Sequence, residues 1–323
     1  MFVLGMDIGY SNLKLAMGES GNSPTVSLYP AGAAPVDRLP ESIGKEDDSL
    51  RVSVDDDLWA ACVNPGKFAM WNRALHQEYA QTASYRALFH ASLLLSERDT
   101  VDCLITGLPV SHWLERSRRE AIVAELVGRH RVTPKREVEV ATVRVVPQPI
   151  GGYLDLLWSR PGEGVLEEGR VLIIDPGFFS VDWVLVEAGD IRTSSSGTSL
   201  EAMSVLLDHA SRLMADEHGG IAPVERLEEA LRGRRDRVLL FGRQVALHPY
   251  LEKAAERVAP VALEALRQSL RKESGSVDAV LLTGGGAALY EAIAQSLFPS
   301  NPIFVPDQPE LANARGFYHF GAE

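Results

Sequence analysis

Two apolar runs, Phe2-Val3-Leu4-Gly5-Met6 and Val171-Leu172-Ile173-Ile174, each end at an Asp-x-Gly turn and lead into a second apolar run. The first turn reads Asp7-Ile8-Gly9-Tyr10-Ser11-Asn12-Leu13-Lys14 and the second Asp175-Pro176-Gly177-Phe178-Phe179-Ser180-Val181-Asp182. Short apolar runs bounded by turn residues are the pattern of buried strands, so each segment predicts strand, tight turn, strand. In the first half the pattern predicts strands at 2–8, 12–17, 25–29, 50–54, 58–63, 101–107 and 136–146. It predicts helices at 80–96 and 111–130, the second capped by Ser111. The Pro-, Gly- and acid-rich stretch 30–48 predicts an exposed loop.

The segment Val146-Pro147-Gln148-Pro149-Ile150-Gly151-Gly152-Tyr153 brackets a glutamine between prolines and opens a helix at 152–159 with a glycine pair. Stiff and permissive residues side by side suit a domain crossing. Strands then restart at 170–175, 180–187 and 190–195, followed by a helix from Ser199 to His218 capped by Thr198 or Ser199. Further helices are predicted at 224–232 and 246–272, a strand at 278–283, and helices at 287–297 and 309–319. Strand-rich openings with helices behind them predict an α/β protein of two related halves.

The paired turns carry a specific chemistry. Backbone N–H groups in a Gly/Ser/Asn turn form a concave nest for phosphate oxygens, and glycine lets the backbone come close. A carboxylate beside phosphate makes sense when a divalent cation lies between, and Mg²⁺ binds through waters, few carboxylates and phosphate oxygens. Lys14 would add a point charge. Either turn alone reads as an ordinary hairpin; the pair, in matching positions, points to a shared nucleotide.

Composition narrows the partners. The chain has 323 residues, 46% hydrophobic and 24% charged, enough for one large or two medium globular domains. Its net charge of −12 argues against direct, sequence-independent nucleic-acid binding. No apolar stretch reaches membrane-spanning length, and the chain opens into a strand with no basic leader, so no membrane contact and no secretory signal are expected. Cys62 and Cys103, in apolar surroundings without metal-ligand spacing, are expected as reduced core thiols of a cytoplasmic protein. The histidines show no zinc-site spacing, and neither a P-loop nor a Rossmann glycine motif is present.

Other segments stay open at this level. Thr283-Gly284-Gly285-Gly286 joins a strand to a helix, which suits either a tight connection or a ligand approaching a helix N-terminus. Gln148 reads either as a polar residue starting a helix or as the side chain that orients a water for attack on a terminal phosphate. Asp182 either supports a metal shell from outside or caps its turn. The polar stretch Ser194–Ser199 either touches the nucleotide or caps a helix. The basic cluster Arg232–Arg237 reads as a solvated loop, or as the best place to look for a DNA or polymer contact.

Taken in order, these segments resemble the actin/Hsp70/sugar-kinase superfamily. Asp7-x-Gly-x-x-x-x-Lys14 resembles its first phosphate motif and Pro147-Gln148-Pro149 with Gly151-Gly152 its connecting segment. Asp175-x-Gly with Asp182 resembles the second phosphate motif, Thr283–Gly286 the adenosine motif, and Ala312-Asn313-Ala314-Arg315-Gly316-Phe317 the final helix. The likeness spans residues 7 to 317. It is nearest to bacterial plasmid-segregation actin-like ATPases of the ParM/StbA type and to compact archaeal actin-like proteins.

The resemblance implies two related actin-like (ribonuclease H-like) domains, 1–150 with 304–323 and 151–303, around a nucleotide cleft. It implies ATP or GTP with Mg²⁺, slow hydrolysis, self-association into filaments, and an adaptor protein that links to DNA in plasmid segregation. Asp7 and Asp175 would hold Mg²⁺ through waters and serve catalysis together with Gln148, which would place the attacking water. Gly9, Ser11, Asn12, Lys14, Gly177 and Ser180 would contact phosphates, and Gly284, Gly285 and Gly286 would line the adenosine pocket. Two departures stand out: plasmid-type members often carry an acid where Gln148 stands, and Phe178-Phe179 occupy a loop where relatives often have Gly and Thr. The alternatives are a small-molecule kinase of the same fold and a nucleotide-binding regulator that does not polymerise.

Overall fold

The structure is a computed structural model that describes residues 1–40, 49–68, 78–240, 242–271 and 275–323. The chain divides into two compact units, Met1–Pro161 with Leu311–Glu323, and Gly162–Glu310.

The first unit opens on β1 (Phe2–Ile8), β2 (Asn12–Glu19) and β3 (Thr25–Pro30). A small antiparallel sheet of β4 (Gly32–Pro35), β5 (Leu50–Val54) and β6 (Asp57–Val63) follows, then α1 (Ala83–Leu95) and β7 (Thr100–Leu108). The short α2 (Val110–Leu114) and α3 (Arg116–Leu126) lead to β8 (Gly128–Thr133), β9 (Arg136–Pro147) and α4 (Gln148–Ser159). The main sheet has the order β3-β2-β1-β7-β9-β8, in which β1, β7 and β9 are parallel to one another and the remaining pairings are antiparallel.

β1 is apolar almost throughout because both of its faces are covered. Leu4 and Met6 enter the core formed with Leu88 and Phe89 of α1. Val3 packs on the opposite face against Phe317 and Tyr318 of the C-terminal helix (Pro309–Ala322). Gly5 is the contact point: a Cβ there would fall 2.3 Å from the Ala314 carbonyl oxygen.

The second unit begins with α5 (Gly164–Glu167), β10 (Arg170–Pro176), β11 (Val181–Glu187), β12 (Asp190–Ile191) and β13 (Gly197–Ser199). α6 (Met203–His218), α7 (Val224–Arg232), the hairpin of β14 (Arg237–Leu240) and β15 (Arg243–Ala246), and α8 (His248–Leu270) follow. β16 (Ala279–Leu282), α9 (Ala287–Leu297) and β17 (Ile303–Phe304) complete it. Its sheet runs β12-β11-β10-β16-β17, with β13 also on β11. The run β2-β1-β7-β9 of the first sheet thus has its counterpart in β11-β10-β16-β17 of the second. In each, an antiparallel hairpin continues into two parallel strands.

Several expectations are corrected. The helix expected at 111–130 is broken at Glu115 and ends at Leu126, and Gly128, at φ +105°, turns the chain into β8. Ser111 is no cap; Pro109 precedes α2. The helix expected from Ser199 starts at Met203, because 197–199 pair with β11. The strand expected at 190–195 stops at Ile191 and gives way to a 3₁₀ turn. Within the expected loop 30–48, Gly32–Pro35 form β4, whose Ala33 and Ala34 are buried; residues 41–48 lie outside the described residues. The helix expected at 246–272 spans His248–Leu270, with Ala246 closing β15 and residue 272 outside the described residues. Most of these are short strands whose formation depends on a distant partner, which local periodicity does not carry.

Candidate functional site

In the first hairpin Asp7 lies opposite Lys14 in the β1–β2 register, so both side chains leave the same face. Asp7 is 1% exposed. Its Oδ2 accepts the Lys14 ammonium at 2.8 Å and its Oδ1 accepts the Gln148 amide at 2.7 Å. Burying a carboxylate is costly unless it is paired and hydrogen-bonded in this way. The hairpin brings two of these groups together, and the third arrives from the first residue of α4.

Gln148 reaches Asp7 because of where α4 starts. Pro147 is its N-cap and Pro149 lies in the first turn, where the missing N–H costs nothing. Leu108 and Pro147 end the parallel β7–β9 pairing side by side, so α4 departs at the C-terminal edge of the sheet. The close approach is made possible by Gly107, where a Cβ would lie 2.9 Å from the Gln148 Cα. The turn is closed by the Gly9 N–H on the Asn12 carbonyl at 2.9 Å, and the Ser11 carbonyl accepts Ala31 N–H. Next to it, Tyr10 stacks on Tyr79 with ring centroids 4.4 Å apart, and burial followed by the nearby Glu78 charge raises its phenol above the ordinary value.

The second hairpin repeats the register with Asp175 opposite Asp182. Gly177 N–H donates to the Ser180 carbonyl at 2.8 Å, the counterpart of the Gly9–Asn12 bond. Asp182 is an internal anchor. Its two oxygens accept the hydroxyls of Ser180 and Thr198, each at 2.6 Å, which ties the turn to β13. The hydroxyl hydrogen of Ser180 is therefore spent inside the hairpin. Asp175, 4% exposed, sits against Gly284, where a Cβ would fall 1.9 Å from its Oδ1. Gly284 also has φ +78°, a second reason for glycine there.

The three glycines after β16 differ. Gly284 N–H donates to the Pro309 carbonyl and Gly286 N–H to the Pro176 carbonyl, both at 2.9 Å, so these two brace the loop against its surroundings. Gly285 is exposed, and the position of a Cβ there is open. The Ser194–Ser199 stretch is structural in its contacts: Ser196 accepts the Leu185 N–H and donates to the Arg192 carbonyl, Thr198 donates to Asp182, and the Ser195 carbonyl accepts Trp183. In the basic cluster Arg232 pairs with Glu228, Arg234 with Glu310 and Arg235 with Glu229, while Arg237 begins β14.

Sequence reasoning did not foresee Gly107, Thr198 or Asn313 in this setting. Asn313 Oδ1 accepts the Gly152 N–H at 3.0 Å. The clustering of Ala312, Ala314 and Gly316 around it, with Gly151-Gly152 elsewhere, is a signal of two helices in close contact. Among the described residues no group of three or more side chains could cage a metal ion, and no helix is long and apolar enough to cross a membrane.

The family model for the N-terminal domain of actin-like proteins matches residues 5–151, and that for the C-terminal domain of archaeal MreB-like actin homologues matches 173–295. No curated protein matches the chain. Among solved structures, the archaeal actin homologue Ta0583 is 21% identical over 99% of both chains with a TM-score of 0.77, and its complex with ADP gives 0.73. A 15-stranded ParM filament from Clostridium botulinum is 17% identical over 99% of this chain and 98% of that one, with a TM-score of 0.70. ParM from Bacillus thuringiensis with AMPPNP is 13% identical over 99% and 98%, with a TM-score of 0.65. These structural likenesses show the fold, and the two consecutive domain matches, over residues 5–151 and 173–295, mark the chain as an actin-like protein.

Proposed function

We propose that this actin-like protein is a nucleoside triphosphatase that binds ATP or GTP with Mg²⁺ and self-associates in the nucleotide-bound state. The observation that carries the reading is the buried Asp7 held by both Lys14 and Gln148. A structural hairpin has no need to hold a buried carboxylate between an ammonium and an amide at a glycine turn. The ADP and AMPPNP complexes of Ta0583 and of Bacillus thuringiensis ParM support an adenine nucleotide, and the ParM filament supports self-association.

The residues have distinct tasks in this reading. Gly9, Ser11 and Asn12 of the first hairpin and Gly177 and Ser180 of the second offer the phosphates their turns, the second through backbone N–H groups since Ser180 is committed to Asp182. Lys14 keeps one N–H on Asp7 and would donate another to a phosphate oxygen. Gln148 donates through Nε2 to Asp7, which leaves its Oε1 to accept from the attacking water and orient it. Gly284, Gly285 and Gly286 line the adenosine side, Gly285 most openly.

In this reading Asp7 and Asp175 would each hold Mg²⁺ through its waters. Both oxygens of Asp7 already accept a hydrogen bond, which favours contact through a water over direct ligation. Bound there, Mg²⁺ would neutralise β- and γ-phosphate charge. Loss of the γ-phosphate would remove ligand contacts that favour the assembled state. DNA segregation through a separate adaptor extends the reading, since a chain of net charge −12 is poorly suited to hold DNA itself.

Phosphate release from ATP and from GTP, with Mg²⁺ and with EDTA, tests it. Mg²⁺-dependent release that Asp7→Asn abolishes is expected. Release at an unchanged rate in Asp7→Asn, or in EDTA, would contradict it.

A further inference from the structure

The C-terminal helix meets α4 without side chains between the two backbones. A Cβ at Gly151 would fall 2.5 Å from the Asn313 carbonyl oxygen and 2.6 Å from its Cα, and a Cβ at Gly316 would fall 1.8 Å from the Gly151 carbonyl oxygen. Inside this contact Asn313, 1% exposed, accepts the Gly152 N–H on Oδ1 at 3.0 Å. In a regular α-helix an N–H points to the carbonyl four residues earlier. For Gly152 that residue is Gln148. Asn313 thus grips α4 at the turn that begins with Gln148.

Two more contacts hold the same helix pair. Arg315 forks onto Asp155 at 2.8 and 2.6 Å. A Cβ on Gly107 would meet the Phe317 ring at 2.6 Å and the Gln148 Cα at 2.9 Å, so the C-terminal helix also backs the strand end beside Gln148. The amide of Gln148 must arrive at Asp7 within hydrogen-bond range, and it is carried on a helix start with two prolines and no side-chain cap of its own.

We propose that Asn313 is a positioning residue for Gln148: by taking the Gly152 N–H it fixes the first turn of α4, and through it the hydrogen bond from Gln148 to Asp7. The rate consequences rest on the triphosphatase reading above; the structural consequence does not. A side chain that acts through Gln148 has no effect of its own once Gln148 is gone.

The test uses the full chain, ¹⁵N-labelled, with the Gln148 side-chain amide resonances identified as the pair missing in Gln148→Ala. In Asn313→Ala these resonances are expected to move. Phosphate release is expected to fall roughly tenfold, with nucleotide affinity retained and no further fall when Asn313→Ala is added to Gln148→Ala. Asn313→Asp keeps an acceptor oxygen near a helix N-terminus and is expected to behave as the wild type, and it decides the matter if Asn313→Ala does not fold. Unmoved Gln148 resonances in Asn313→Ala, losses that multiply in the double variant, or an Asn313→Asp protein with displaced Gln148 resonances would overturn the proposal. A wild type that releases no phosphate would overturn the triphosphatase reading, and the resonances would then decide this one alone.

Discussion

The side-chain amide of Gln148 donates to Asp7 at 2.7 Å across 141 positions of sequence. The bond joins the start of α4 to the end of β1, and Gln148 makes it with its nitrogen rather than its Oε1. Gln148→Ala is therefore expected to bind nucleotide with little change and to hydrolyse it at least about tenfold more slowly, equivalent to ~1.4 kcal/mol of barrier. Single-turnover phosphate release beside equilibrium nucleotide binding checks this, and an unchanged rate removes the role.

Gly284 has no space for a side chain. A methyl group there would lie 1.9 Å from Asp175 Oδ1, on a backbone at φ +78°. Gly284→Ala is expected to cost roughly 1–3 kcal/mol of stability from strain and to weaken nucleotide binding by displacing Asp175. Gly285→Ala, with open space at the same loop, is the control and should leave stability within about 0.5–1 kcal/mol. Equal losses in the two variants would show that Asp175 is not the sensitive neighbour.

Asp182 binds two hydroxyls, from Ser180 and Thr198. Asp182→Ala leaves the buried Ser180 hydroxyl and the half-buried Thr198 hydroxyl without their acceptor and is expected to destabilise the protein by roughly 2–4 kcal/mol. The loss should appear in thermal melts with or without Mg²⁺. If melting is unaffected and only Mg²⁺ dependence changes, Asp182 belongs to the metal shell.

His90, His112, His130 and His319 all have imidazole pKa values below the ordinary 6.5, with burial the largest cause in each. His90 and His130 also face each other at 5.9 Å. A lowered imidazole value means that the unfolded chain takes up protons first as pH falls. Stability is then fully present above about 6.5 and is lost as pH drops towards the folded values. Glu125, raised by burial, works in the opposite sense, one group against four. The melting temperature is expected to fall between roughly pH 7.5 and 5.5, and less steeply when His90 and His130 are both replaced by glutamine. A flat profile would contradict this.

The Cys62 thiol is pushed up to about 12 by burial. Reactivity follows the thiolate, so alkylation by iodoacetamide should be slow in the folded protein and fast after denaturation. Rapid labelling of native Cys62 would contradict its placement.

What the sequence revealed and what it hid divide along the range of the interactions. The Asp7 and Asp175 turns were legible because apolar run, acid and glycine are adjacent in the chain. β8 was hidden because Gly128–Thr133 becomes a strand only by pairing with β9, and β13 because it pairs with β11. The task of Asp182 stayed open until Thr198, sixteen residues on, was seen to donate to it. Gln148 stood out by its flanking prolines, yet its contact with Asp7 and the hold of Asn313 on its helix exist only in the folded chain.

The most direct test of the account is right-angle light scattering recorded together with phosphate release, on the pure protein given Mg²⁺ with ATP or GTP. The account predicts that scattering rises on nucleotide addition and that phosphate release follows, both lost in Asp7→Asn. A wild-type protein that stays silent in both channels with either nucleotide would contradict it.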